Sequence, residues 1–430
     1  MLRAFTNAFK VPDLRGKILF TLAIIAVYRL GSVIPTPGVD YKVLHDLLAR
    51  TDSQQGVLPL LNLLSGGALT QLAVFALGIM PYITASIIMQ LLTVVIPRLE
   101  EYQKEGESGV RKITQYTRYL TVVLAILQST GLIALVQSGQ LFAGMDSSQL
   151  IPHPTLGVKA LMILTLTAGT AFIMWLGELI TARGVGNGMS LLIFTAIIAS
   201  FPGTGYRILQ QNQLLFAGLM VMALVLIVGV VYIEQGQRRI PVEYAKRQLG
   251  RKVYGGTSTY IPLKVNQAGV IPIIFASSLL SLPQLAASIF GNPSFDRFVQ
   301  RYVQRGDHPY YILMFFILTI FFAYFYTAIT FNPIDVADNM KKYGGFIPGI
   351  RPGRPTAEYL DRVITRITLP GSLYLATLAV VPFFFFNVAG TTRLPLGGSS
   401  LLIVVGVALE TMKQVESQLL QRHYEGFLNA

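Results

Sequence analysis

The stretch Gln213–Glu234, QLLFAGLMVMALVLIVGVVYIE, decides the fold, because its only charged side chain is its last, Glu234. A helix that crosses a hydrocarbon core about 30 Å thick needs roughly 20 mostly apolar residues. Inside that core the backbone has only itself to hydrogen-bond, so one continuous apolar run must be helical. Working outward, comparable segments recur at about 18–35, 73–96, 119–137, 157–181 and 188–202 on the N-terminal side. They recur at about 269–290, 309–331, 369–388 and 398–412 on the C-terminal side. The sequence therefore predicts an all-α membrane protein of about ten transmembrane helices. The fifth and tenth segments are short, and the seventh holds Pro272 and Pro283. Short or broken helices are tolerated in a bilayer only where protein or a water-filled cavity surrounds them, which hints at a pathway.

Composition agrees. The 430 residues are 53% hydrophobic and 13% charged, whereas soluble domains carry about a quarter charged residues. The net charge of +13 would point to nucleic acid in a soluble protein. In a membrane protein it first reads as Lys and Arg collected in cytoplasmic loops. Roughly three quarters of the Lys and Arg fall in one alternating set of loops and both tails, which places both termini in the cytoplasm. Arg29 lies inside the first span. That span follows Arg3, Lys10, Arg15 and Lys17 with no small-residue cleavage site after it, so it reads as a retained signal anchor.

Two basic loops stand out, about 235–268 and 332–368, each too short for a domain. They hold the turn formers Gly255-Gly256, Gly344-Gly345 and Pro348-Gly349 and are expected to protrude as two hairpin-like fingers. On the outer side, residues 57–69 form an apolar run too short to span, with Leu60, Leu61, Leu64 and Ser65 ahead of a helix stop at Gly66-Gly67. On pattern alone it either lies on the bilayer or tucks into a cavity.

Signals for chemistry are weak. With no cysteine there is no disulfide or thiolate site. No phosphate-binding loop of the G-x-x-x-x-G-K-[ST] kind and no H-E-x-x-H zinc helix occurs. The string Gly106-Glu107-Ser108-Gly109 imitates an intramembrane serine protease. It sits in a charged loop, and His45, His153, His308 and His423 all lie outside the spans, leaving the serine without an activating base. An ion-coupled transporter needs mid-membrane carboxylates. Here Arg29, Glu178, Glu234 and Glu410 lie near span ends, where they are expected to snorkel. Uncharged polar groups inside spans are the better candidates. Thr84, Ser86 and Gln90, then Gln128, Ser129 and Thr130, then Asn266, Gln267, Ser277 and Ser278 read either as ordinary interhelical glue or as a seam that can part.

Particular strings go further. Phe75-Ala76-Leu77-Gly78-Ile79-Met80-Pro81-Tyr82-Ile83, Glu105-Gly106-Glu107-Ser108-Gly109, Trp175-Leu176-Gly177-Glu178 with Gly184-Val185-Gly186-Asn187-Gly188, and Arg238-Arg239-Ile240-Pro241-Val242 with Tyr244-Ala245-Lys246-Arg247 resemble the SecY family in its bacterial form. Pro262-Leu263-Lys264-Val265-Asn266, Gly269-Val270-Ile271-Pro272, Phe331-Asn332-Pro333, Ala337-Asp338-Asn339 and Pro348-Gly349-Ile350-Arg351-Pro352-Gly353 continue it. The likeness runs from about residue 15 to the tenth span.

The resemblance implies two inverted-repeat halves of five helices, about 1–202 and 203–430, around a protein-conducting channel with no enzymatic activity and no cofactor. It makes the run at 57–69 a re-entrant plug helix containing Leu60, Leu61, Leu64, Ser65, Gly66 and Gly67. It implies a pore ring of Ile79, Ile83, Ile193, Ile274 and Ile403, since a narrow apolar constriction dewets and blocks ions. Thr84, Gln128 and Asn266 would form the polar cluster of a lateral gate between the second and third helices and the seventh and eighth. Arg239, Lys246, Arg247, Arg251, Lys252 and Arg351 would bind the SecA motor or the ribosome, whose RNA phosphates attract Lys and Arg. SecE and SecG are implied as partners, with SecDF and YidC as further ones, and signal sequences and membrane lipids as what the gate meets.

Overall fold

The computed structural model describes residues 9, 11–44, 65–137, 150–152, 155–211, 213–244, 247–249, 252–254, 258–290, 293–302, 308–388 and 398–428. In chain order the helices before the first sheet are α1 (Pro12–Gly31), α2 (Met80–Val95), α3 (Pro97–Lys104), α4 (Glu107–Gln137), α5 (Leu156–Arg183), α6 (Gly188–Gln211) and α7 (Gln213–Glu234). Strands β1 (Gln237–Tyr244), β2 (Arg247–Leu249), β3 (Lys252–Tyr254) and β4 (Ser258–Lys264) follow. Then come α8 (Ile271–Phe290), α9 (Pro293–Tyr302), α10 (Pro309–Thr330), α11 (Pro333–Lys342), the short strand β5 (Gly345–Phe346), α12 (Arg354–Val388) and α13 (Gly398–Leu428).

Helices α1, α2, α4, α5, α6, α7, α8, α10, α12 and α13 each fall on one of the ten apolar segments. Among the described residues, five helices are long and apolar enough to cross a membrane by themselves, and α2 with α3 makes a sixth, bent by 100°. That bend is local chemistry. Pro97 starts α3, and the residue before a proline is driven out of the α region; Ile96 accordingly sits at φ −101, ψ 110.

The apolar segment expected at 73–96 turns helical only at Met80. Before it, Leu72 (φ 43) and Gly78 (φ 55) take left-handed backbone, which no α-helix accommodates, so 65–79 is a chain of turns. These turns are strapped to the segment after α1. Thr36 N donates to Leu72 O at 2.9 Å and Val74 N to Ile34 O at 2.9 Å, and the Tyr28 and Phe75 rings stack at 5.9 Å. Helices α5 and α6 form a hairpin so tight that a Cβ at Gly188 would lie 1.9 Å from the Gly177 carbonyl oxygen.

The two basic loops differ from a pair of hairpins. The first is β1 and β4, paired antiparallel with Ile240 opposite Ile261. The second is mostly helical: α11, then β5, then the start of α12, which begins fifteen residues earlier than hydropathy indicated. Strand β5 adds to β1 (Glu243 opposite Phe346), giving a sheet ordered β4-β1-β5. Ile240, Leu263, Ile347, Leu360, Val363 and Ile364 bury against one another beneath it. The loops are therefore one joint unit.

Candidate functional site

The largest apolar cluster draws on α1, α2 and α5 to α10 together with α12 and α13, and it contains Ile79, Ile83, Ile193 and Ile403. Ile274 is partly buried and packs against the same cluster. Ile79 is the N-cap of α2 and Ile83 lies one turn on; Ile193, Ile274 and Ile403 come from α6, α8 and α13. The five isoleucines thus come from four helices and share one extended apolar cluster. In an apolar surround such a group has nothing to offer a hydrated ion, and it makes no hydrogen-bond demand on whatever lies against it.

Around it stands the end of the 57–69 run. Ser65, Gly66 and Gly67 are described, whereas Leu60, Leu61 and Leu64 lie outside the described residues. Ser65 is buried, and its hydroxyl accepts from Leu69 N at 3.1 Å. Gly66 has φ +66, and a Cβ there would stand 3.1 Å from Ala196 Cα and 3.1 Å from Arg29 Nη1. The left-handed backbone favours glycine, and a side chain there would press on both neighbours. The Gly66 carbonyl accepts a 3.0 Å hydrogen bond from Arg29 Nη1. Arg29 therefore uses its charge on a backbone carbonyl instead of simply reaching for the interface.

Helix α8 packs against both α2 and α4, so the seam between them is in contact. Thr84 and Gln128 are buried on α2 and α4, and Asn266 is buried just before α8. No hydrogen bond joins the three among the described residues. Thr84 Oγ1 donates to Met80 O at 3.0 Å within its own helix. Asn266 Nδ2 donates to Glu234 Oε1 at 2.5 Å and to Gly269 O at 3.0 Å. Glu178 is also paired: Arg118 Nε and Nη2 each reach one of its carboxylate oxygens at 2.8 Å, a bidentate bridge from α4 to α5. The sequence marked Arg29, Glu178 and Glu234 as span-end charges; their partners lie too far along the chain for spacing to reveal.

Of the basic residues, Arg239 is exposed on β1, its guanidinium 4.8 Å from the Tyr260 ring centroid. Arg351 is exposed between β5 and α12. Arg247 and Lys252 lie in β2 and β3, which pair antiparallel; Lys246 and Arg251 lie outside the described residues. Ser108 is exposed in the first turn of α4. No cluster of three or more His, Cys, Asp or Glu suited to a metal exists among the described residues.

The family model for SecY matches residues 73–412. The chain belongs to the SecY family. Protein translocase subunit SecY of Streptomyces galbus is 58% identical over 436 residues, spanning 100% of both chains. Among solved structures, a protein-conducting channel superposes with TM-score 0.65 at 17% identity, covering 95% of this chain and 96% of that one. The channel of a canine ribosome–channel complex from the endoplasmic reticulum superposes with TM-score 0.62 at 17% identity over the same shares. The SecY fold and its apolar helices make this a multi-pass membrane protein.

Proposed function

We propose that this chain is the channel subunit of a bacterial preprotein translocase, seated in the cytoplasmic membrane with both termini in the cytosol. Unfolded secretory chains pass through its centre, and apolar helices leave sideways into lipid. The observation that supports this reading is that Ile79, Ile83, Ile193, Ile274 and Ile403, from four different helices, belong to one apolar cluster. Such a ring deforms around any side chain and stays dry when empty. Its role is non-enzymatic, so SecA hydrolysing ATP, the translating ribosome or the proton motive force supplies the work.

The two halves are about 1–202 and 203–430. Residues Ser65–Leu69 belong to the plug, and the contact of α8 with α2 and α4 is the shut gate. Thr84, Gln128 and Asn266 line that seam; an apolar signal sequence inserts there. Arg239, Arg247, Lys252 and Arg351, together with Lys246 and Arg251, offer positive charge to SecA or to ribosomal RNA. The likeness to the channel of the canine ribosome–channel complex supports the ribosome as a partner. SecE, SecG and SecA complete the active assembly, with SecDF and YidC beside it.

The test is reconstitution. With SecE, SecG, SecA and ATP, vesicles holding this chain should protect a preprotein from added protease. Uptake of a small solute with no preprotein protection would contradict the reading and favour a secondary transporter.

A further inference from the structure

Arg29 is an ionisable residue at the end of α1, the helix on the first apolar segment, with an identified partner on another part of the chain. Such residues are costly, and their partners point to function. A simpler use is available, since Arg29 lies in the last turn of α1, where a cation suits the helix dipole. A dipole alone requires no contact with Gly66. Yet the guanidinium reaches across to the Gly66 carbonyl at 3.0 Å, thirty-seven residues along the chain.

What that bond positions is specific. Gly66 packs on Ala196 of α6. Ala196 lies three residues from Ile193, so the two share a helix face, and both are buried. The turn that Arg29 grips therefore sits one helical turn from a ring isoleucine. The rest of the segment is held by other means, through Leu72 and Val74 to Thr36 and Ile34 and through Phe75 to Tyr28. Arg29 alone supplies a cross-chain side-chain hydrogen bond to the Gly66 carbonyl among the described residues.

We propose that Arg29 is the positioning residue that keeps the Ser65–Leu69 turn seated on the face of α6 that carries Ile193, and so sets how tightly the resting channel is sealed. The inference rests on the channel reading above and adds a residue to it. One charge-assisted bond is strong enough to hold a turn and weak enough to be broken when a polypeptide enters. Loss of the seat frees Gly66 to move about its left-handed backbone while the Thr36 and Ile34 straps stay in place.

The chain has no cysteine, so Ser65→Cys supplies a single buried thiol in the seat. The S65C protein, assembled with SecE and SecG in sealed vesicles, is compared with S65C/R29A and S65C/R29K. The readouts are the rate of modification by a membrane-impermeant maleimide and the resting ion conductance. Arg29→Ala is expected to raise the labelling rate about tenfold, as loss of a hydrogen bond to a charged group predicts, and to raise conductance with it. Arg29→Lys, which keeps the charge but not the forked donor, is expected to fall between. A control thiol at Ser129, buried in α4, should ignore residue 29. Equal rates and conductances in all three backgrounds would overturn the proposal, as would equal acceleration at Ser129. If R29A does not assemble, the comparison of R29K with the parent decides by the same readouts. Preprotein translocation by the S65C parent and by the unsubstituted chain is scored in parallel. If the unsubstituted chain does not translocate, the channel reading fails; if it translocates and labelling ignores residue 29, only the seat fails.

Discussion

The Asn266 amide donates to Glu234 Oε1 at 2.5 Å and to the Gly269 carbonyl at 3.0 Å, which ties the start of α8 to the end of α7. The hairpin β1–β4 lies between them in sequence, and α8 also packs on α2 and α4. Removing the carboxylate releases one anchor of α8, the proposed gate helix. Glu234→Ala is expected to let α8 part from α2 and α4 more readily. Hydrogen bonds to charged groups contribute about 1.5–3 kcal/mol, so a preprotein with a weakened signal sequence should be translocated about tenfold better. Protease protection measures it, and unchanged or poorer translocation of that preprotein would refute the anchor.

The Arg118–Glu178 bridge holds α4 to α5 with two 2.8 Å bonds. Its side chains are 41% and 25% exposed, so solvent screening keeps the coupling at about 1 kcal/mol. A double-mutant cycle of Arg118→Met and Glu178→Gln, read by thermal unfolding in detergent, should return that coupling. Additive effects would mean that the bridge contributes nothing.

The joint cytoplasmic unit rests on a small apolar core in which Leu360 is fully buried. Truncating a buried leucine costs about 2–5 kcal/mol. Leu360→Ala should loosen β5 and the start of α12 from β1, making both basic segments more sensitive to added protease while the membrane helices stay assembled. Protection equal to the parent's would show that the two segments are held independently.

Arg351 is exposed, so reversing its charge removes no packing. Arg351→Glu is expected to cut SecA-driven translocation several-fold, and more at low salt than at high, because screening already weakens the attraction at high ionic strength. Normal amounts of assembled protein must accompany the defect. A loss of assembly would contradict the docking role.

Much of the fold was legible because apolarity is a local property. Each of the ten apolar segments carries a helix, and prolines at 81, 272 and 309 open helices, where a missing N–H costs nothing. What hydropathy misjudged has identifiable causes. The start of the segment expected at 73–96 is as apolar as the rest, yet Leu72 and Gly78 hold left-handed backbone and Phe75 stacks on Tyr28 outside any helix. The start of α12 looked like loop because of Arg354, Arg362 and Arg366. Its burial of Leu360, Val363 and Ile364 repeats at i, i+3 and i+4, a helical signal outweighed by charge. The isoleucines of the proposed ring are singled out only by resemblance, since each alone reads as ordinary core. The partners of Arg29, Glu178 and Glu234 were not legible at all, being thirty-two to sixty residues distant.

The central claim is that a polypeptide threads the isoleucine cluster. Ile193→Cys in the cysteine-free chain, paired with a single cysteine placed along a SecA-driven preprotein stalled at graded lengths, tests it by oxidation in vesicles containing SecE and SecG. The account predicts a disulfide adduct whose position on the preprotein shifts in step with the stall length. A preprotein that is still translocated but never forms an adduct at any length would contradict it, because the path would then lie elsewhere.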